Sequence, residues 1–142
     1  MRTVSEILKC KPAGFYSVPP DTSVLDAIRQ MASHQIGALL VMSSDRLVGM
    51  LSERDYLQKV ALVGRWSGTT RVSTIMSSPV AKVSLDATVF ECLDLMSEQR
   101  FRHLPVLERG QVQGVISIGD CVKAVIDEQA HQIEDLERFI HG

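Results

Sequence analysis

Ser117-Ile118-Gly119-Asp120 follows the apolar run Gln113-Gly114-Val115-Ile116 and opens a helical pattern, Cys121-Val122-Lys123-Ala124-Val125-Ile126. A serine leaving a strand, with an acid three residues on, sits where a helix begins. There its hydroxyl caps free backbone N–H groups, and the exposed amides can face an anion. Alone, Ser-x-x-Asp reads as a capping box. It is not alone. Ser52-Glu53-Arg54-Asp55 follows Leu47-Val48-Gly49-Met50-Leu51 in the same way and also leads into a helical pattern.

Working outward from these two copies, Val18 to Asp55 maps onto Val83 to Asp120 at a constant offset, 120 − 55 = 65, without a gap. Asp21 matches Asp86, Val24 matches Val89, Met31 matches Met96, Leu39 matches Leu104 and Gly49 matches Gly114. Upstream, Val4-Ser5-Glu6-Ile7-Leu8 matches Val72-Ser73-Thr74-Ile75-Met76 at offset 68, so repeat one carries three extra residues near Lys11 to Phe15. A repeat of this length is a whole supersecondary unit, and two copies are expected to bury their apolar faces on each other.

The periodicity changes in the same order in both repeats. A short helical turn at Val4 to Leu8 precedes an extended piece, Ser17-Val18. Thr22 or Ser23 caps a helix with Val24, Ala27, Ile28 and Met31 on one face. Ala38 to Met42 and Leu47 to Leu51 read as a hairpin, and a helix with Tyr56, Leu57, Val60 and Ala61 follows Ser52. Repeat two predicts a turn at 72–76, a helix from Thr88 to about Gln99, and strands at His103 to Leu107 and Val112 to Ile116. The expected division is repeat one at 4–64, a linker at 65–71, repeat two at 72–129 and a helical extension at 130–142. The linker is polar, glycine-bearing and basic, with Trp66 expected to fold onto the core. In the extension, Val122, Ile126, Gln129, Ile133, Leu136 and Ile140 recur at spacings of three and four. Such a stripe either wraps its own domain or meets a second copy of the chain.

Bulk properties exclude several classes. A chain of 142 residues with net charge −2 shows no basic patch for nucleic acid or an acidic membrane surface. No apolar run reaches spanning length, the first residues do not form a signal peptide, and Cys10, Cys92 and Cys121 share no motif spacing. Reduced thiols and a cytoplasmic location are the expectation. His34, His103, His131 and His141 make no metal-ligand spacing, and no P-loop or Gly-x-Ser-x-Gly pattern occurs. No enzyme activity is expected.

A tandem strand–hairpin–helix repeat, each copy ending in Gly-x-apolar-Ser-x-x-Asp, resembles the cystathionine β-synthase (CBS) domain pair, or Bateman module. Arg102-His103-Leu104-Pro105-Val106 is similar to the family's common first strand. Ile75-Met76-Ser77-Ser78-Pro79 resembles its opening loop, and Asp21-Thr22-Ser23-Val24 and Asp86-Ala87-Thr88-Val89 resemble its helix start. The resemblance implies an α/β (α+β) fold of two β-α-β-β-α repeats related by a pseudo-twofold axis, with clefts between them for adenosyl ligands. It also implies dimerisation into a disc and regulation of another protein. With no further domain in the sequence, the chain looks like a stand-alone CBS pair. The implied function is a regulatory module sensing AMP, ADP, ATP or NAD(H), with S-adenosylmethionine less expected. The rival is an interaction scaffold whose clefts stay empty.

The resemblance assigns the site residues. An ionised carboxylate can accept from both hydroxyls of a ribose, and Asp120 and Asp55 match the position with that role. Ser117 and Ser52 match the phosphate donors at helix starts. Arg102 and His103 match the cleft-facing strand start, with Arg100 nearby; their repeat-one equivalents are Gly37 and Ala38, and Leu40 stands for Pro105. Arg54 is the basic residue that compensates. Ser77, Pro79 and Val80 with Pro105, and Lys11-Pro12-Ala13 in repeat one, match the adenine slot, while Arg65, Ser67 and Thr69 of the linker offer contacts to a diphosphate. The two sites are therefore expected to be chemically unequal.

Overall fold

The short apolar runs of the two repeats produce the same hairpin twice. The computed structural model describes residues 2–78 and 80–141; Pro79, assigned above to the adenine slot, lies outside them. In chain order the elements are α1 (Val4–Lys9), β1 (Ser17–Val18), α2 (Val24–His34), β2 (Ala38–Ser43), β3 (Arg46–Ser52) and α3 (Glu53–Tyr56), which runs on as a π-helical turn, Leu57–Ala61. Then come α4 (Val72–Ile75), α5 (Val89–Gln99), β4 (His103–Glu108), β5 (Gln111–Ser117) and α6 (Ile118–His141). β2 and β3 pair antiparallel with Ala38 opposite Ser52, and β4 and β5 pair with His103 opposite Ser117. Each hairpin carries one irregularity, at Val41/Met42 and at Val106/Leu107, again 65 residues apart. β1 adds a parallel strand to the first sheet; its counterpart in repeat two shrinks to a single bridge, Val83 to Val106.

Repeats in sequence and units of packing are offset by one element. One compact unit comprises Phe15–Val80, and the other joins the described residues up to Gly14 with those from Ala81 onward. The opening helix α1 of repeat one thus builds the core of the repeat-two unit, where Val4 and Ile7 pack with Val89, Cys92, Met96, Leu104 and Ile116. α4, which opens repeat two, puts Val72 and Ile75 into the repeat-one core with Val24, Ala27, Met31, Leu39 and Leu51. Matching main-chain bonds hold both. Val4 N donates to Ala87 O and Ser5 N to Leu85 O; Val72 N donates to Thr22 O and Ser73 N to Pro20 O.

Gly49 and Gly114 show why both repeats keep a glycine in the second strand. A Cβ on Gly114 would lie 3.0 Å from Leu8, and one on Gly49 would collide with Met76 and sit 3.1 Å from Ser77 O. The opening segment crosses each strand too closely for a side chain.

The linker differs from the expectation. Trp66 is not folded onto the core but is 68% exposed. Its carbonyl accepts from the N–H groups of Thr69 and Thr70 and from both threonine hydroxyls, which closes a local turn. The carbonyls of Ser67 and Thr70 accept from Leu25 N and Val24 N at the start of α2, so the segment's main chain faces the unit. The indole is left outside, over Gly68. Of the two fates of the C-terminal stripe, wrapping its own domain is not observed: every described residue from Gln129 to His141 is exposed.

Candidate functional site

At the end of β5 the chain turns directly into α6, which places Ser117 and Asp120 face to face. Ser117 N donates to Asp120 Oδ2 at 2.8 Å, and Asp120 N donates to Ser117 Oγ at 3.1 Å. The same reciprocal cap forms at β3–α3. Ser52 N and Ser52 Oγ donate to Asp55 Oδ2 at 2.9 and 3.0 Å, and Asp55 N donates to Ser52 Oγ at 3.2 Å. The capping reading of Ser-x-x-Asp is therefore realised in both copies. The cap fixes the rotamer of each aspartate and aims it where the first strand begins. Ile118 N bonds Arg102 O at 2.8 Å, and Glu53 N bonds Gly37 O at 3.1 Å.

Each carboxylate also holds a lysine, but from a different source. Lys11 Nζ, from the loop after α1, lies 2.7 Å from Asp120 Oδ2 and 2.8 Å from Val115 O. Lys59 Nζ, one helical turn after Asp55, lies 2.9 Å from Asp55 Oδ1 and 3.0 Å from Ile75 O. Ala124, at the offset-65 position of Lys59, is buried, so the repeat-two helix has no cation to offer there. The carbonyls explain how Lys11 takes its place. Met50 O accepts from Ser77 N in a short bridge, whereas its counterpart Val115 O accepts from Lys11 Nζ. The three extra residues of repeat one thus exchange a main-chain contact for an ammonium.

The two aspartates are not equally open. Asp55 is held at both oxygens, Oδ1 also receiving the Ser77 hydroxyl at 3.4 Å, and its side chain is 11% exposed. The Asp120 side chain is 22% exposed, with Lys11 and Ser117 both on Oδ2. Burial pushes the Asp120 carboxyl up, but the Lys11 hydrogen bond, the two Ser117 bonds and the Lys11 charge outweigh it and hold the group below its ordinary range. A carboxylate with a lowered folded pKa contributes stability that is complete above the ordinary aspartate value of about 3.9 and is lost as pH falls through the lowered folded value. Asp120→Asn should flatten that part of the acid limb when urea midpoints are followed from about pH 5 to about pH 2. Wild type and variant falling in parallel would show that the charge is not held.

The other assigned residues distribute as follows. His103 is half-buried opposite Ser117, and Arg102 beside it is exposed. Pro105 is buried, and its carbonyl accepts from Val83 N. Gly37 and Ala38 are half-buried at the equivalent strand start, and Arg54 is exposed on α3. Ser77 belongs to the Asp55 unit and bonds that carboxylate, and Pro105 lies in the other unit. Val80 is half-buried. Arg65 is exposed, and Ser67 is half-buried with its carbonyl committed to α2. A wide-open depression lined by Ser17, Pro20, Asp21, Met42 and Ser44 lies at the hairpin end of the first sheet, opposite to Asp55, and is not part of either site.

Lys59 was readable from the sequence as an i,i+4 partner of Asp55. Lys11 was not: 109 residues separate it from Asp120. Among the described residues no group of three His, Cys, Asp or Glu side chains could hold a metal ion, and no helix is long and apolar enough to cross a membrane. Cys92 and Cys121 are free thiols touching in the repeat-two core, where the contact lowers the Cys92 pKa and, with burial, raises that of Cys121.

Two hairpins, each feeding a helix through a capped Ser-x-x-Asp and each completed by the opening helix of the other repeat, define a tandem-repeat architecture. The CBS domain family model matches residues 4–62 and 72–127, and the chain belongs to that family. It is similar to the CBS domain-containing protein CBSX3, mitochondrial, of Arabidopsis thaliana: 34% identical over 149 residues, covering 99% of this chain and 72% of that protein. Some other curated relatives are longer, and the chain spans 24% of their length. Among solved structures, a protein with CBS domains from Burkholderia ambifaria MC40-6 is 48% identical with a TM-score of 0.87, over 90% of this chain and 96% of that one. CBSX2, solved in complex with AMP, shares the fold with a TM-score of 0.72 at 24% identity, over 91% of this chain and 99% of that one.

Proposed function

We propose that the chain is a regulatory module that binds an adenine nucleotide, AMP, ATP or NAD(H), and signals its presence to a partner protein. One observation carries the reading: a half-buried carboxylate, fixed in rotamer by a cap and kept charged by an ammonium, stands at the N-terminus of α6 beside Arg102 and His103. A ribose diol is a matched ligand for the carboxylate, and a phosphate for the cations and the helix start. The role is binding and not catalysis. The expected location is the cytoplasm, although the Arabidopsis relative is named as mitochondrial.

The second reading, an unoccupied scaffold, is favoured for the repeat-one site alone. There both Asp55 oxygens are engaged and Gly37 and Ala38 replace the basic pair. Replacing two charge-assisted contacts by none should weaken phosphate binding by more than about 1 kcal/mol. Calorimetric titration with AMP should therefore show one tight event per chain, weakened by Arg102→Ala, and a second, weak or absent event that Arg102→Ala leaves alone. Two identical sites responding equally to Arg102→Ala would overturn the asymmetry. Absence of heat with AMP, ATP and NAD(H) alike would overturn the nucleotide reading.

We further propose a homodimer in which the α6 stripes pair. Val122, Ile126, Ile133, Leu136 and Ile140 are exposed, whereas Cys121 and Ala124 of the same helix are buried in the unit's core. The face that carries the stripe is thus turned away from the core that anchors the helix. Alternating steps of four and three give a heptad with Ile126, Ile133 and Ile140 at one core position and Val122, Gln129 and Leu136 at the other, a pattern suited to a two-stranded pair. In an antiparallel pair Lys123 meets Glu137 of the partner subunit at both ends. A parallel pair sets Gln132 near Glu137 and gains no such contact. Charge complementarity favours the antiparallel pair.

A further inference from the structure

The ammonium that neutralises Asp120 stands on Oδ2, one of the two oxygens that a carboxylate offers to a ribose diol. Lys11 Nζ bonds Asp120 Oδ2 at 2.7 Å and Val115 O at 2.8 Å, and among the described residues these two bonds tie this long, flexible side chain to the site. We propose that Lys11 is an exchange cation and so sets the ligand class: it is parked on Asp120 while the site is empty and passes to the ligand's phosphate when the ribose takes the carboxylate. The inference rests on the nucleotide reading above.

The physical consequence is selectivity for phosphorylated nucleosides. A bound ribose removes part of the lysine's counter-charge. A half-buried ammonium then needs a new anion or must return to water. AMP supplies that anion on the same molecule, at a distance that the four-carbon side chain spans by rotamer changes. Adenosine does not, so adenosine must compete with Lys11 while AMP recruits it. Lys59 is placed differently. It sits on the same helix as its aspartate, one turn along, and Asp55 Oδ1 is shared with Ser77, so its release would leave a more closed carboxylate.

The test compares AMP with adenosine by calorimetry on wild type, Lys11→Met and Lys11→Arg, with a thermal melt of each protein. Wild type should prefer AMP. Lys11→Met should reduce AMP affinity about ten- to a hundredfold, the value of one lost charge-assisted bond, and leave adenosine affinity unchanged or higher. Lys11→Arg keeps the charge and should keep the preference. If both ligands weaken by the same factor in Lys11→Met, the lysine only holds the loop, and the exchange is refuted while the nucleotide reading stands. If wild type binds AMP and adenosine equally, the exchange is likewise refuted. If wild type binds no adenine nucleotide, the nucleotide reading itself has failed and takes the exchange with it.

Discussion

Asp120→Ala should remove most of the chain's affinity for AMP. A carboxylate that accepts from both ribose hydroxyls makes two charge-assisted bonds, each on the order of 1.5–3 kcal/mol and not fully additive. On the exchange proposed above, the ion pair with Lys11 loosens as the ribose binds, which offsets roughly 1 kcal/mol or less for a pair of this exposure. The net loss is about 2–3 kcal/mol, or roughly thirty- to a hundred-and-fiftyfold in Kd. The same substitution also breaks the cap on α6, at about 1 kcal/mol of stability. Calorimetry and a denaturation curve on the same variant separate the two effects. Unchanged affinity per folded molecule, with stability alone reduced, would make Asp120 a capping residue and nothing more. The matching change, Asp55→Ala, should cost stability without touching the tight AMP event.

Much of this site is legible in the chain because it is local. Ser-x-x-Asp, the glycine three residues upstream and the hairpin around it are short-range patterns, and their recurrence at a fixed offset of 65 says which positions correspond. The caps at Ser23, Thr88 and Ser52 form as their residue types predict. What the pattern does not carry is which opening segment closes which unit. α1 and α4 are matched in sequence, and either has the Val and Ile spacing to fill either core. Only the folded chain shows α1 with repeat two and α4 with repeat one. Lys11, Ser77 and the two lysine-bonded carbonyls all follow from that exchange. Trp66 was misjudged for a related reason: a large ring implies burial, but the turn around it is closed by its own main chain and leaves no slot for the indole.

Ile133→Glu combined with Leu136→Glu should convert a dimer to a monomer in light scattering. The two residues occupy successive core positions of the α6 heptad, and by symmetry the change places four carboxylates in one seam. An unpaired charge buried between apolar side chains costs several kcal/mol, and a micromolar dimer is held by only about 8 kcal/mol in all. The unit itself should keep its stability, since both positions are exposed and lie beyond Cys121 and Ala124, the residues that anchor the helix. A charge swap then tests how the helices run. Lys123→Glu alone should weaken the dimer by bringing two glutamates together at each end, and adding Glu137→Lys should restore it, which only an antiparallel pair can do. A double-glutamate variant that remains dimeric would move the contact to another apolar surface, with exposed Leu57 and Leu62 as the first positions to change.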